Sequence, residues 1–178
     1  MSIVVDTRWR VDATASLDVP LRASAVWGQM RDIQRFLTID PLHRRVRVAD
    51  AVSPTRCVAE TVGSPIPIGT PLVIEHRLLG VGVNRRSRLL RWREGRGFAV
   101  SDLSKRGDHT GFPHACIYEV TRLDASAARL TVSARGRWTA TWMPRWLVRL
   151  WLRLILASTL SHLRVDLRRF RSALRRQS

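Results

Sequence analysis

The sequence predicts an α+β domain in which a curved antiparallel sheet of six or seven strands wraps around one long C-terminal helix, with two short helices after the first strand. Three observations predict this class. Residues 13 to 21 alternate between apolar and polar side chains, short alternating runs return from residue 46 to residue 139, and a leucine stripe follows near the C-terminus. A curved sheet cannot bury its concave face alone, and one apolar-faced helix can cover it.

The first strand and the short helices follow directly from local pattern. In the strand, Ala13, Ala15, Leu17, Val19 and Leu21 share one face, which is the pattern of a half-buried strand. The next segment, "SAVWGQMRDIQRFLTID", has apolar residues at helical spacing, and Ser24 is its expected N-cap. It reads as one or two short helices.

Seven alternating runs make up the middle of the chain, and turn-forming residues separate them. The separators include "GSPIPIGTP", "GVGVN", "EGRG" and "KRGDHTGFP", which are rich in Gly, Pro or Asn. Antiparallel strands joined as hairpins fit this order best. The runs are "RVRVADAV", "TRCVAETV", "PLVIEHRLLG", "RRSRLLRWRE", "GFAVSDLS", "HACIYEVTRL" and "ARLTVSARGRW".

The C-terminal helix is expected from about residue 145 to residue 175. Its stripe falls within about 80° on a helical wheel and consists of Leu156, Leu160, Leu163, Leu167, Phe170 and Leu174. Arg149 and Arg153 fall on the same face, which is a conflict within one straight helix. We favour a separate first piece that starts at Pro144. In the alternative, both arginines face the sheet and need an acidic partner from the protein or from a ligand.

Length and composition indicate a single domain over residues 1–178 with an unusual charge. The net charge is +17, and all basic residues except Lys105 are arginine. This charge permits binding to phosphates or anionic lipids, but a GC-rich codon bias would give the same excess. Cys57 and Cys116 form no CxxC pair, and the N-terminus has no signal-peptide pattern. Arginines interrupt the best candidate for a spanning helix, residues 146–160. We therefore expect a cytoplasmic protein.

The pattern resembles one known superfamily. "LDVPLRASAVWGQMRDIQRFLTI" is similar to the opening strand and tryptophan-bearing first helix of the START-like, or helix-grip, superfamily (SRPBCC), which contains polyketide cyclases and lipid binders. "RLLRWREGRGFAVSDLS" resembles its central hairpin, and the terminal helix resembles its grip, so the resemblance covers roughly residues 10 to 175. It implies an apolar cavity between sheet and helix for a lipid, polyketide, sterol or aromatic ligand. It implies no catalytic residue, because the superfamily has no universal catalytic signature.

Histidines on apolar strand faces are the candidates for acid–base chemistry. His76 shares a face with Leu72 and Ile74, and His114 shares one with Cys116 and Tyr118. A hydrogen-bonded core position is the favoured interpretation of His76, and a general base is the alternative. His114 is a candidate to line the same pocket and to give acid–base help to an enolisable ligand. Asp102, near a strand end, is a candidate to orient one of them. No metal-ligand spacing, P-loop or GxGxxG appears, so we expect neither metal nor cofactor.

Tryptophans gather where the sheet meets the helix. Trp138 ends a strand on an apolar face, and Trp142, Trp146 and Trp151 surround Pro144. Packing of the helix start is the simplest interpretation. A gate to an apolar cavity and a contact with anionic headgroups are the alternatives, in that order.

Three classes of function are therefore predicted. The first is a carrier or sensor of a hydrophobic or amphipathic small molecule, the second a polyketide cyclase or aromatase-like enzyme, and the third a basic protein that binds a membrane surface or RNA. Nucleic acid is the least favoured partner because the arginines do not form one stripe, and a weak contact with an anionic membrane surface ranks above it. The sequence does not decide whether a reaction is catalysed, nor the oligomeric state. The candidate ligand-binding residues are His76, Trp92, Phe98, His114, Tyr118, Trp138, Arg149, Trp151 and Arg153.

Overall fold

A computed structural model describes residues 1–40, 43–49, 66–78, 81–102 and 112–175. Within these ranges lie eight strands and three helices, and the fold is α+β as predicted. The strands are β1 (Ser2–Val5), β2 (Arg10–Val19), β3 (His43–Val48), β4 (Pro71–Leu78), β5 (Val81–Arg93), β6 (Gly97–Asp102), β7 (His114–Arg122) and β8 (Ala128–Arg137). The helices are α1 (Ala23–Met30), α2 (Ile33–Leu37) and α3 (Arg145–Arg175).

All eight strands belong to one antiparallel sheet in the order β1-β2-β8-β7-β6-β5-β4-β3. The prediction of six or seven strands did not include β1, which is too short to show a pattern. The predicted strand "TRCVAETV" lies outside the described residues. From β3 to β8 each strand pairs antiparallel with the next described strand in the sequence.

The two short helices follow β2, as predicted, and pack on the sheet. α1 contacts β7 and β8, and α2 contacts β3. The expected N-cap at Ser24 is wrong, because α1 already begins at Ala23 and its cap position is Arg22, which makes no side-chain cap. α2 has a true cap, since the carboxylate of Asp32 accepts from the backbone N–H of Arg35 at 3.1 Å.

The C-terminal helix is one continuous element, so the favoured prediction of a separate first piece is wrong. Its buried positions step by four, four, three, four and four residues, which keeps them on one face; they are Val148, Leu152, Leu156, Thr159, Leu163 and Leu167. The predicted stripe started at Leu156 and did not include the buried Val148 and Leu152. The helix face that packs on the sheet in the first turns of α3 was therefore predicted wrongly. Both Arg149 and Arg153 are exposed. The side chains of Phe170 and Leu174 lie outside the described residues.

Aromatic rings pack against one another in the core where α1 and α2 meet the sheet. Phe98 has no exposed surface, and its ring centroid lies 5.7 Å from that of Phe36 and 5.0 Å from that of Tyr118. Trp92 stacks on Phe98 at 6.2 Å. These rings fill one end of the space between sheet and helices.

A carboxylate ties two tryptophans together beside this core. Glu94 accepts from the indole N–H of Trp27 at 2.8 Å and from that of Trp92 at 3.0 Å. The hydrogen bond from Trp27, and then that from Trp92, lowers the pKa of Glu94 below its usual value. The hydrogen bond from Trp27 to Glu94 links α1 to the β5–β6 hairpin.

Cross-strand ion pairs occupy the outer face of the sheet. Arg129 makes two hydrogen bonds to the carboxylate of Asp18, at 2.6 and 2.9 Å, and these residues are direct partners in the β2–β8 register. Arg135 lies 3.2 Å from Asp12 on the same pair of strands. Exposed pairs of this kind contribute about 0–1 kcal/mol each. Part of the arginine content is thus ordinary surface pairing.

No helix in the described ranges is long and apolar enough to cross a membrane.

Candidate functional site

A cavity of about 550 Å³ lies between the concave face of the sheet and the first half of α3. Its sheet walls come from β3 to β8, and its helical wall comes from one face of α3. Among the lining residues are Ile74, Val100, Val132, Ala134, Leu147, Leu152, Ile155 and Leu156, which make most of the surface apolar.

Small side chains explain why this end of the sheet is hollow. Ser87 on β5 and Ala134 on β8 point inward here, and both line the cavity. Further along the same two strands the buried inward positions are Leu89 and Leu130, neither of which has exposed surface. Because protein interiors are close-packed, small inward side chains at positions where large ones would fill the interior leave space between the sheet and the helix.

The cavity wall contains a buried arginine that was not among the predicted site residues. Arg85 is 9% exposed, and its backbone partner across the β4–β5 pair is Ile74. Its neighbours Asn84 and Arg86 are exposed on the opposite face of the sheet. A guanidinium keeps its positive charge when buried and presents a planar fork of N–H donors. This position therefore suits a carboxylate or another acceptor-rich group inside the cavity.

Two histidines meet edge to face on the β3–β4 side. The ring centroids of His43 and His76 lie 4.7 Å apart at 86°, and both line the cavity. His43 Nδ1 donates to the backbone carbonyl of Leu37 at 2.7 Å, since a carbonyl oxygen can only accept. His76 Nδ1 has a weaker contact of 3.3 Å with the Ile74 carbonyl. The prediction placed His76 on an apolar face but did not include His43.

The third lining histidine is held by a phenyl ring. His114 Nδ1 donates to the Phe112 carbonyl at 2.6 Å, and the two rings stack at 4.4 Å and 10°. Asp102 is the backbone partner of His114 in the β6–β7 register. The Asp102 side chain, expected to orient a histidine, lies outside the described residues.

A buried phenol marks the inner end of the cavity. Tyr118 is 4% exposed, and its burial, with the nearby Cys116 and Asp40, raises its pKa well above the usual range. The phenol therefore stays protonated and can donate a hydrogen bond. Close by, Thr159 of α3 donates to the Asp40 carboxylate at 3.0 Å, which links the helix to the end of α2.

Trp138 and Trp142 lie near the cavity mouth, where β8 passes into α3. Trp138 is buried, and its indole N–H donates to the Ala140 carbonyl at 3.0 Å. Trp142 is 80% exposed and Trp151 is 44% exposed, although both also line the cavity. Amphipathic rings thus form the rim.

The structure brings five of the nine predicted ligand-binding residues to the cavity, namely His76, His114, Tyr118, Trp138 and Trp151. Trp92 and Phe98 lie in the filled aromatic end of the core. Arg149 and Arg153 do not line the cavity; both are exposed, and Arg149 Nη2 lies 3.5 Å from the Val5 carbonyl.

The lining residues that were not predicted include four with polar or charged side chains that the argument uses: Asp40, His43, Arg85 and Thr159. Only Arg85 carried a sequence signal, since it alternates in register with Ser87 and Leu89. Among the residues that the structure describes, no group of three or more His, Cys, Asp or Glu side chains is placed to hold a metal ion.

Solved structures with the same architecture include a START superfamily protein from Mycobacterium smegmatis, with 14% identity, a TM-score of 0.57, and coverage of 88% of this chain and 93% of that one. The Zhui aromatase/cyclase from a Streptomyces species has 14% identity and a TM-score of 0.63, over 89% of this chain and 93% of the other. A Nitrosomonas europaea protein has 11% identity and a TM-score of 0.60, over 95% and 99%. No family model and no curated protein matches the sequence. Identities this low show the fold alone.

Proposed function

From the START-like helix-grip fold that this chain has, we propose that it is a carrier or sensor of a hydrophobic or amphipathic small molecule. The cavity of about 550 Å³ between sheet and α3 carries the proposal. Small-molecule sites in proteins span about 300–1,000 Å³ and combine apolar walls with a few polar groups. Buried apolar area would supply affinity at about 25 cal/mol per Å², before the costs of binding.

The polar groups favour a ligand with one acidic or acceptor-rich end. Arg85 is the only arginine among the cavity-lining residues that the structure describes, and Ser87 and Ser101 lie on the same wall. The rest of the lining is mainly aliphatic and aromatic. An apolar body with a carboxylate would match both parts of this surface.

Native mass spectrometry of the purified protein is the first test. A carrier should show a mass above that of the polypeptide, and the excess should disappear under denaturing conditions. Displacement of anilinonaphthalene sulfonate, an apolar anionic dye, by dodecanoic acid and by dodecanol then tests the polar end. A protein that neither carries a small molecule nor binds the dye would contradict the proposal.

A matched pair of variants isolates the role of the buried guanidinium. Arg85→Met and Arg86→Met remove the same charge from adjacent positions, one lining the cavity and one exposed. A hydrogen bond to a charged group contributes about 1.5–3 kcal/mol, so Arg85→Met should weaken the acid by roughly 10- to 150-fold and leave the alcohol nearly unchanged. Arg86→Met should change neither. Equal loss for acid and alcohol would contradict recognition through Arg85.

A cyclase-like enzyme is the second candidate, and the ionisable lining residues favour it. His76, His114 and the protonated phenol of Tyr118 share one cavity with the guanidinium of Arg85, and one similar structure is that of an aromatase/cyclase. Holding a flexible polyketide in one conformation would supply much of the rate. An enzyme should lose turnover steeply in His76→Ala or His114→Ala while dye affinity persists. A carrier should show only modest changes in affinity.

A further inference from the structure

The first three turns of α3 carry a second apolar face that the fold does not use. Trp146, Leu150 and Leu154 recur every four residues and are 66%, 45% and 60% exposed. At about 100° per residue, Leu150 lies about 160° around the helix from the buried Leu152. We name Trp146, Leu150 and Leu154 the outer stripe.

Exposed apolar surface is concentrated at this place. Of the eleven large hydrophobic residues exposed in the described part of the chain, five lie between residues 142 and 154. They are the outer stripe together with Trp142 and Trp151. Single exposed apolar residues are normal, whereas a contiguous group marks an interaction surface.

Fixed positive charge borders the outer stripe. Arg149 and Arg153 are exposed, and on the helical wheel Arg153 lies about 20° from Trp146, whereas Arg149 lies about 60° from Trp146, at the edge of the buried face. The chain as a whole carries a net charge of +17. Tryptophan rings prefer the headgroup level of a bilayer, and arginines beside an apolar helical face pair with anionic lipids.

We infer that the outer stripe docks on an anionic lipid surface, with α3 lying in the plane of the headgroups. The cavity mouth would then open at the bilayer, because Trp142 and Trp151 belong both to the exposed group and to the cavity lining. A hydrophobic ligand could pass between membrane and cavity without crossing water. This last step rests on the proposed carrier function, whereas the docking does not.

Co-sedimentation with lipid vesicles tests the docking. The wild-type protein should bind vesicles made of equal parts phosphatidylcholine and phosphatidylglycerol more strongly than vesicles of phosphatidylcholine alone. The variant Trp146→Gln/Leu150→Gln/Leu154→Gln should lose binding by about tenfold or more, because its apolar area no longer leaves water. Glutamine favours helix, and none of the three residues lines the cavity, so dye binding should persist.

One matched control separates docking from a general affinity of exposed apolar side chains for lipid. Ile68→Gln/Leu90→Gln/Leu123→Gln removes three exposed apolar side chains elsewhere, and it should bind vesicles like the wild type. If this control loses as much binding as the outer-stripe variant, the inference is overturned.

Charge needs its own pair of variants. Arg149→Gln/Arg153→Gln should weaken binding to anionic vesicles more than Arg86→Gln/Arg88→Gln, which removes equal charge from the exposed face of β5. Equal losses would show a non-specific basic surface and overturn the inference.

Other occupants of the stripe give different results. If the protein does not bind anionic vesicles and forms a dimer that dissociates when the outer stripe is replaced, a second copy of the chain occupies this face. Release of bound RNA by the same replacement, without vesicle binding, identifies nucleic acid. Either result overturns the membrane inference, and both leave the dye test of the cavity intact.

Discussion

Alanine substitutions at two leucines of α3 should have unequal costs, although both side chains are buried. Leu163 is 2% exposed and Leu156 is 5% exposed. Leu156 faces the large cavity, whereas Leu163 lines only a gap of about 20 Å³ that it shares with Val26 of α1 and Phe36 of α2. The two sites therefore differ in what surrounds the removed atoms.

The expected difference follows from the two parts of a cavity-forming mutation. Removing the three carbons by which leucine exceeds alanine costs about 2.4 kcal/mol of transfer free energy at about 0.8 kcal/mol per carbon. A new void adds about 24 cal/mol per Å³, which brings buried leucines to about 3–5 kcal/mol. At Leu163 both parts apply. At Leu156 the space joins an existing hollow that offers few contacts, so we expect about 2 kcal/mol or less.

Urea unfolding followed by tryptophan fluorescence measures both free energies of unfolding. Leu154→Ala is the control, because this residue of the same helix is 60% exposed and should change stability by no more than about 0.5 kcal/mol. Leu163→Ala should leave dye binding intact, whereas Leu156→Ala should alter it. Equal costs at Leu163 and Leu156 would refute the reasoning, because they would mean that the interior is filled at both places.

Three further predictions concern single groups. The chain has one tyrosine, so ultraviolet titration should show Tyr118 ionising only well above the usual pKa of a phenol. Because the pKa is raised in the folded state only, the fold should lose stability once the pH exceeds about 10. Urea unfolding should show that Tyr118→Phe reduces this loss. Because the pKa of Glu94 is lower in the folded state than its unfolded-state pKa near 4.5, the ionised carboxylate stabilises the fold above that pH, and the contribution disappears as the pH falls through the folded-state pKa. Glu94→Gln should therefore make the urea midpoint decline less between neutral pH and about pH 3. An unchanged decline would contradict the role of the two indole hydrogen bonds. Gly97→Ala should prevent or strongly impair folding, because a Cβ there would collide with the backbone of β7. The control Gly28→Ala, on α1 with open space around it, should raise stability by about 0.5–1 kcal/mol. Equal melting temperatures for the two variants would show that the backbones of β6 and β7 are not this close.

Local pattern was sufficient for most of the elements, but not for the short strand β1. The alternation of Ala13, Ala15 and Leu17 predicted β2, and the leucines between residues 156 and 167 predicted α3, because burial on one face imposes the period of the element on neighbouring residues. Their order then indicated a sheet covered by a helix. The hollow itself was expected only from the resemblance.

The cavity lining was harder to predict, and β5 shows why. Leu89 and Trp92 both pack into the core although three positions separate them, because the register shifts between Leu89 and Arg91. Counting back in twos from Trp92 therefore leads to Arg86, whereas the residue that faces the cavity is Arg85. A bulge inserts one residue and reverses the faces beyond it.

The sequence by itself determined most of the strands and all three helices, that one long helix follows the sheet, and that tryptophans gather at their junction. Only the tertiary structure decided which side chains meet, since Asp40 and Thr159 are 119 residues apart and hydrogen-bond because α3 lies beside the segment that follows α2. It also decided that Arg85 faces inward and that the outer stripe of α3 faces outward. The reason is physical: periodicity is a property of neighbours along the chain, whereas a cavity and its charge depend on pairing registers and helix placement that distant segments fix together.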